Sequence, residues 1–259
     1  MSRVLQRLKN RYRRWRISKH PIADRAWSAA LRRAPYARRL PPASRARLRE
    51  LATLFLIEKR FATAHDLTLT DTMRAVVALK ACIPILELGI EYYRDFKGIV
   101  LYPADFQVDE RHIDEAGVVH EETRALCGQS LGQGPIVLSW DTLKNEHAED
   151  GQDLVIHECA HKLDILNGDA DGFPPLHVGV SADTWTRTFK RAYDALCRDV
   201  DAERPTRLDP YASVDAAEFF SVASETFFTR PDILSEDFPG VYRQLADFYR
   251  QDPKALMKP

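Results

Sequence analysis

The sequence has few cysteines, and no two of them are spaced to form a compact site. The four cysteines are far apart in the chain and none belongs to a CxxC pair: Cys82, Cys127, Cys159 and Cys197. This spacing argues against a disulfide framework and against an all-cysteine zinc site. We expect reduced, buried thiols instead.

Long apolar runs are also missing. No stretch of about 18 apolar residues occurs, so the sequence predicts no membrane-spanning helix. The first residues, Met-Ser-Arg, are not followed by the apolar core of a secretory signal, so we expect a cytoplasmic protein. With 259 residues, of which 45% are hydrophobic and 29% charged, the chain can bury a sizeable core.

Acidic residues are scarce in the first 50 positions. These positions hold 16 Lys or Arg against two acids, Asp24 and Glu50, whereas the other 209 residues hold 21 basic and 36 acidic residues. Residues 1–42 are predicted to form a basic N-terminal arm, partly ordered or helical, and residues 43–259 one domain. A solvated arm is the simpler interpretation, because no nucleic-acid module accompanies the charge. Contact with nucleic acid or an anionic surface is the alternative.

The pattern beyond the arm is that of an α+β domain with many helices and few strands. Apolar residues at helical spacing predict helices at about Ser44–Phe61, Asp71–Arg94 (bent or divided at Pro84), Leu154–Leu166, 182–199, 213–229 and 237–250. Short β-prone runs lie at Ile99–Tyr102, Val118–Glu121 and Ile136–Trp140.

The segment HECAH lies inside the apolar stretch Leu154–Leu166. On a helix, His157 and His161 are one turn apart on the same face, so both imidazoles can reach one zinc ion. Glu158 is rotated by about a quarter turn, where it can act as the general base on a water at the metal. Burying these polar side chains on an apolar helix would cost free energy unless each of them had a partner. Two surface histidines with a glutamate on an amphipathic helix are the alternative.

We expect Ile136–Trp140 to be an edge strand that holds the substrate backbone.

The residues alone leave the third metal ligand open. Asp164 lies about one turn beyond His161, although it could more easily support a ligand or close the helix end. Glu218 and Glu225 are seven residues apart and share one face of a later predicted helix. For each glutamate, a solvated helix face is the alternative.

Several longer blocks carry a family resemblance. They are CIPILELGIEYY (82–93), VLYPADFQVD (100–109), GQGPIVLSW (132–140), VIHECAHKLDILNGD (155–169), YASVDAAEFFSVASETFF (211–228) and FYRQDP (248–253). In their order and spacing they resemble the Mlc titration factor A family of bacterial zinc metallopeptidases. The resemblance covers about residues 45–253, roughly four-fifths of the chain.

The resemblance implies a zincin-like fold, similar to the catalytic core of anthrax lethal factor. Such a fold has a small mixed sheet, an HExxH active-site helix and several flanking helices. The resemblance also implies one Zn²⁺ per chain, held by His157, His161 and Glu218, with Glu158 as the catalytic glutamate. Tyr211 matches a tyrosine near the metal, where its phenol can stabilise an oxyanion. A packed aromatic beside the site is the alternative for Tyr211.

The same resemblance leaves Asp164 and Glu225 in supporting roles. It implies a zinc-dependent peptidase of aminopeptidase type that acts on a peptide or protein. The founding member of the family also sequesters the glucose repressor Mlc from DNA. A regulatory protein that binds a repressor of sugar phosphotransferase genes is therefore the second functional hypothesis. Residues 1–40 do not resemble the family's usual start, and the loop Asp169–Leu176 looks shorter than expected.

Overall fold

A computed structural model describes residues 3–113, 119–126, 128–130, 134–146 and 150–257. Helices dominate these ranges. The α-helices are α1 (Arg3–Lys19), α2 (Asp24–Arg32), α3 (Pro35–Arg39), α4 (Pro42–Glu58), α5 (Asp71–Cys82), α6 (Trp140–Asn145), α7 (Leu154–Asp164), α8 (Ala182–Asp201), α9 (Ala216–Thr229), α10 (Pro231–Asp237) and α11 (Pro239–Tyr249). Short 3-10 helices lie at Ile90–Tyr93, Ile165–Asn167, Pro210–Ser213 and Pro253–Met257.

The strands form one small mixed sheet and one hairpin. They are β1 (Arg60–Thr63), β2 (Gly98–Tyr102), β3 (Phe106–Ile113), β4 (Val119–Leu126), β5 (Gly128–Ser130) and β6 (Ile136–Ser139). The sheet has the order β1-β2-β6-β5; β1, β2 and β6 are parallel, and β5 pairs antiparallel with β6. The strands β3 and β4 pair antiparallel with each other. Of the strand predicted at Val118–Glu121, Val118 lies outside the described residues.

The prediction that Ile136–Trp140 is an edge strand was wrong. All four residues of β6 are buried, and β6 lies between β2 and β5. A short run with three consecutive apolar residues, here Ile136–Leu138, is typical of an interior parallel strand, because both of its faces are covered. The edge strands of this sheet are β1 and β5, and Trp140 begins α6.

Proline sets several helix boundaries. The helix predicted from Ser44 begins two residues earlier, with Pro42 in its first turn, because a proline at that position loses no helical hydrogen bond. It ends at Glu58, and Phe61 lies in β1. The helix predicted over Asp71–Arg94 is divided near Pro84, as proposed, since α5 ends at Cys82.

Much of the basic N-terminal segment packs onto the rest of the protein. Trp27 and Tyr36, on α2 and α3, belong to the same buried cluster as residues of α4, α5 and α11. The Tyr36 hydroxyl donates to Gln251 Oε1 (2.9 Å), and Gln251 Nε2 donates to the Ile83 carbonyl (2.9 Å). These contacts tie α3 to the C-terminal part of the chain. The domain boundary at residue 42 stays a prediction.

The helices α7 and α9 pack against each other, and both contribute to the buried cluster. Cys82 and Cys159 are free, buried thiols, and Cys197 is half-buried; Cys127 lies outside the described residues. None of the helices in the described ranges combines the length and the apolar character that crossing a membrane requires.

Candidate metal centre

The HECAH segment lies on α7, whose first turn is capped by two acidic side chains. Asp153 Oδ1 accepts a hydrogen bond from the Ile156 N–H (3.1 Å), and Glu146 Oε2 accepts one from the Leu154 N–H (3.0 Å). These bonds satisfy backbone donors that a helix N-terminus leaves without partners. The helix that carries the histidines therefore has a fixed beginning.

Three side chains from α7 and α9 point their ligand atoms at one another. His157 Nε2 and His161 Nε2 are 3.2 Å apart. Glu218 Oε2 lies 3.1 Å from His157 Nε2 and 3.4 Å from His161 Nε2. A tetrahedral zinc ion with bonds of about 2.0–2.1 Å separates its ligand atoms by roughly 3.3–3.4 Å. The spacing and the two-histidine, one-carboxylate donor set thus fit a zinc ion.

Glu218 is ionised in this arrangement. Burial opposes its charge, but the adjacent imidazoles of His157 and His161 outweigh burial and hold the pKa of Glu218 well below its usual range. Glu218 Oε2 is buried and lacks a hydrogen bond of good geometry among the described residues. A bound cation would satisfy this buried carboxylate oxygen, which is costly to leave unpaired.

Glu158 is buried beside this group. Only 3% of the residue is exposed, and its Oε2 atom has no hydrogen-bond partner in the described part of the chain. Burial raises the pKa of Glu158 to about 7, against the opposing charges of the two histidines. A carboxylate with a pKa near neutrality can both accept and return a proton.

Glu225 contacts the opposite side of the His157 ring. Its Oε1 atom lies 2.6 Å from His157 Nδ1, and it also accepts a hydrogen bond from the backbone of Asp153. Burial raises the pKa of Glu225 against the opposing charge of His157. A carboxylate on Nδ1 fixes the ring orientation and turns Nε2 toward the shared centre, as in many metal sites.

Asp164 is not part of the three-ligand group and anchors the loop after α7. It is fully buried, and its Oδ2 atom accepts a hydrogen bond from the Gly172 N–H (2.8 Å). Gly172 has φ +76°, and a Cβ there would lie 2.5 Å from the Ala216 carbonyl oxygen. The Trp185 indole donates to the Gly172 carbonyl (3.0 Å). The loop is therefore held against the start of α9, two residues before Glu218.

Tyr211 lies at the open side of the site, on the 3-10 helix Pro210–Ser213. Its ring centroid is 6.2 Å from that of His157, and 47% of the residue is exposed. Burial of its hydroxyl, followed by the charge of Glu218, raises the pKa of Tyr211. The phenol therefore stays protonated and can donate a hydrogen bond.

Comparison with known proteins identifies the family. The model of the glucose-regulated metallo-peptidase M90 family matches residues 8–250. The chain belongs to this family. Relatives named Mlc titration factor A include a Pectobacterium atrosepticum protein, 40% identical over 235 residues (90% of this chain, 88% of the relative). A Klebsiella pneumoniae strain 342 relative is 38% identical over 234 residues, which cover 89% of this chain and 88% of the relative. A Salmonella arizonae relative is 38% identical over 239 residues, which cover 91% of this chain and 94% of the relative.

Membership of the M90 family confirms the resemblance found in the sequence and gives the chain a metallopeptidase-type domain. Such a family implies a metal, commonly zinc, and His157, His161 and Glu218 are the residues that could hold it. The M90 match begins at residue 8. The expectation that residues 1–40 depart from the family pattern was therefore wrong for most of that segment.

One part of the site of this M90 family member was missed in the sequence. Lys80 on α5 is buried; it forms an ion pair with Glu146 and lies 3.1 Å from Asp153 Oδ2. It thus joins the two acidic side chains that cap α7. The available signal was a lysine within the apolar run AVVALKACI, where a charge needs a partner.

Proposed function

We propose that this M90 family member is a zinc-dependent peptidase with a zincin-like core, in which His157, His161 and Glu218 hold one zinc ion. The observation that carries the proposal is the convergence of their three ligand atoms at 3.1–3.4 Å. A zinc ion in such a site polarises the peptide carbonyl and lowers the pKa of a water.

The charge balance around α7 supports a bound cation. Buried or half-buried carboxylates there outnumber the three buried lysines Lys59, Lys80 and Lys162; they are Glu146, Asp153, Glu158, Asp164, Glu218 and Glu225. Uncompensated buried charge is strongly unfavourable. A divalent cation would offset much of the excess negative charge.

Glu158 is the proposed general base. It takes the proton of the attacking water at its carboxylate and later gives that proton to the leaving amine. Support comes from its burial and from its Oε2 atom, which has no partner among the described residues. Glu225 keeps the His157 ring oriented during this proton transfer.

Tyr211 is the proposed oxyanion donor. Its half-exposed phenol lies beside His157, where a substrate entering from solvent would meet it. A positioned hydroxyl of this kind stabilises negative charge that develops on the carbonyl oxygen. We further propose cleavage of aminopeptidase type, on the resemblance alone; comparing N-terminal with internal cleavage of a peptide library tests it.

Glu158→Gln tests the proposed mechanism. We expect peptide hydrolysis to fall by about 10²–10⁴-fold, the usual contribution of a general base, with the zinc content unchanged. Glu50→Gln, on the exposed side of α4, is the matched control and keeps full activity. Hydrolysis by Glu158→Gln at the native rate would refute the assignment.

A second role rests on the name of the relatives. They are called Mlc titration factor A, which motivates the proposal that this chain binds a transcriptional repressor of the Mlc type. Such a partner would place the chain in the cytoplasm, which is part of this proposal. Incubation of a purified Mlc-type repressor with the chain tests it: a stable complex with intact repressor supports sequestration, and no complex contradicts it.

A further inference from the structure

Helix α1 has a composition unlike that of any other described helix. Its 17 residues, RVLQRLKNRYRRWRISK, include eight Lys or Arg and no acid. The 209 residues after position 50 carry a net charge of −15, from 21 basic and 36 acidic residues. The strongly cationic part of the protein is thus concentrated at one end of the chain.

One side of α1 is attached to the body. Arg13 Nη2 lies 2.6 Å from Glu91 Oε1, and Arg16 Nη1 lies 3.7 Å from Glu58 Oε1. Ile17 packs against the buried cluster. These contacts join α1 to α4 and to the 3-10 helix Ile90–Tyr93, and they determine which side of α1 faces solvent.

The solvent side carries two large aromatic side chains. Tyr12 is 57% exposed and Trp15 is 56% exposed, and their rings stack with centroids 5.9 Å apart at 24°. Exposed basic residues surround the pair. We call this set the aromatic–basic face: Arg11, Tyr12, Arg14, Trp15 and Lys19.

Such a face matches the interface of an anionic bilayer. Trp and Tyr rings favour the boundary between apolar chains and water, because each has an apolar body and a polar tip. Each Lys or Arg near an anionic membrane strengthens binding by about fivefold, which corresponds to about 1 kcal/mol. The acidic part of the chain after position 50 is repelled by the same surface, so binding would be confined to the basic N-terminal segment that includes α1.

Nucleic acid fits the aromatic–basic face less well. Single strands bind by stacking bases on open aromatic faces. Here Tyr12 and Trp15 stack on each other, and the Arg16 guanidinium lies 5.8 Å from the centroid of the Tyr12 ring. These contacts leave fewer open ring faces for bases, whereas both side chains stay more than half exposed and able to enter a lipid interface.

We propose that the aromatic–basic face of α1 binds the surface of an anionic phospholipid bilayer and holds the peptidase domain at that surface. Arg11, Arg14 and Lys19 supply the attraction to lipid headgroups. Tyr12 and Trp15 enter the interface between headgroups and acyl chains. The proposal does not depend on the metal centre.

Co-sedimentation of the full chain with lipid vesicles tests the proposal. We expect binding to vesicles of 70% phosphatidylcholine and 30% phosphatidylserine in about 0.1 M salt, and weaker binding at higher salt. Arg11→Gln/Arg14→Gln should bind roughly 25-fold more weakly, as two fivefold losses. The matched control is Arg187→Gln/Arg191→Gln, which removes two exposed arginines of α8 and should bind like the native chain.

A second variant separates the aromatic contribution from charge. Tyr12→Ser/Trp15→Ser keeps every basic residue, and we expect it to lose most of the binding. Circular dichroism and peptide hydrolysis check that each variant is folded. The proposal is overturned if the native chain prefers neutral vesicles or binds both kinds equally. It is equally overturned if the aromatic variant binds like the native chain, or if an oligonucleotide at equal salt displaces the chain from the vesicles.

Discussion

Replacing Lys80 by Met should strongly destabilise the protein. The side chains of Lys80, Glu146 and Asp153 are only 3%, 5% and 7% exposed, so the three charges have little access to water. The two carboxylates also cap the beginning of α7. Without the ammonium group, two carboxylates stay buried with no cation beside them.

The magnitude follows from the burial of these charges. Removing one partner of a buried ion pair costs about 3–5 kcal/mol. At this chain length 1 kcal/mol corresponds to a Tm change of about 2–4 °C, so we expect the Tm to fall by roughly 6–20 °C.

The loss of stability should depend on pH. Burial raises the pKa of Glu146 from its usual 4.5 to about 7. Folding therefore favours the protonated form of Glu146. The stability that this protonation contributes is lost as the pH rises through 7. Lys80→Met should consequently lose more stability at pH 8 than at pH 6.

Urea and thermal unfolding at both pH values measure this loss. Lys190→Met is the matched control; it removes an exposed lysine paired with Asp194 and should change the unfolding free energy by less than about 0.5 kcal/mol. The double variant Lys80→Met/Glu146→Gln should regain part of the stability, because one buried charge is removed. A Lys80→Met protein as stable as the native one, with the same stability at pH 6 and pH 8, would refute the reasoning.

Three further predictions concern the surroundings of the metal centre. Glu225→Gln should lower zinc affinity by about 10–100-fold in a chelator competition, because the His157 ring loses its carboxylate partner; an unchanged affinity would contradict this. Burial raises the pKa of Asp164 from 3.8 to about 6, so its stabilising contribution is full below pH 4 and lost as the pH rises through 6. Asp164→Asn should therefore gain stability relative to the native chain in urea unfolding between pH 4 and pH 7, and parallel pH curves would exclude this. Gly172→Ala should destabilise the protein more than Gly179→Ala, since both glycines have positive φ but only at Gly172 does a Cβ clash with backbone; equal midpoints in thermal unfolding would show that the clash has no effect.

The HECAH helix was predictable because its evidence is local. The spacing of His157 and His161 is enough to place both imidazoles on one face. The choice among Asp164, Glu218 and Glu225 depends on how α7 and α9 pack, which no local pattern contains. The structure separates them, since Glu218 reaches both Nε2 atoms, Glu225 reaches Nδ1 of His157, and Asp164 binds the following loop.

The order of the strands in the sheet and the short helices were harder to predict from the sequence. The pattern of apolar residues within a strand does not specify which strands lie next to it in the sheet. The sequence therefore could not show that β5 (Gly128–Ser130) pairs with β6 on the side away from β2. The helix α10 (Pro231–Asp237) was missed because a proline begins it and another begins α11. Both prolines occupy first-turn positions that helices tolerate, although the same residues usually indicate turns.

The central claim is that His157, His161 and Glu218 hold one zinc ion. Metal analysis with zinc X-ray absorption on the full chain tests it most directly, in the native protein and in His161→Ala, with the exposed His20→Ala as control. We predict one zinc per chain with two imidazole ligands in the native protein and in His20→Ala, and loss of the zinc in His161→Ala. A full zinc content with an unchanged absorption spectrum in His161→Ala would contradict the claim.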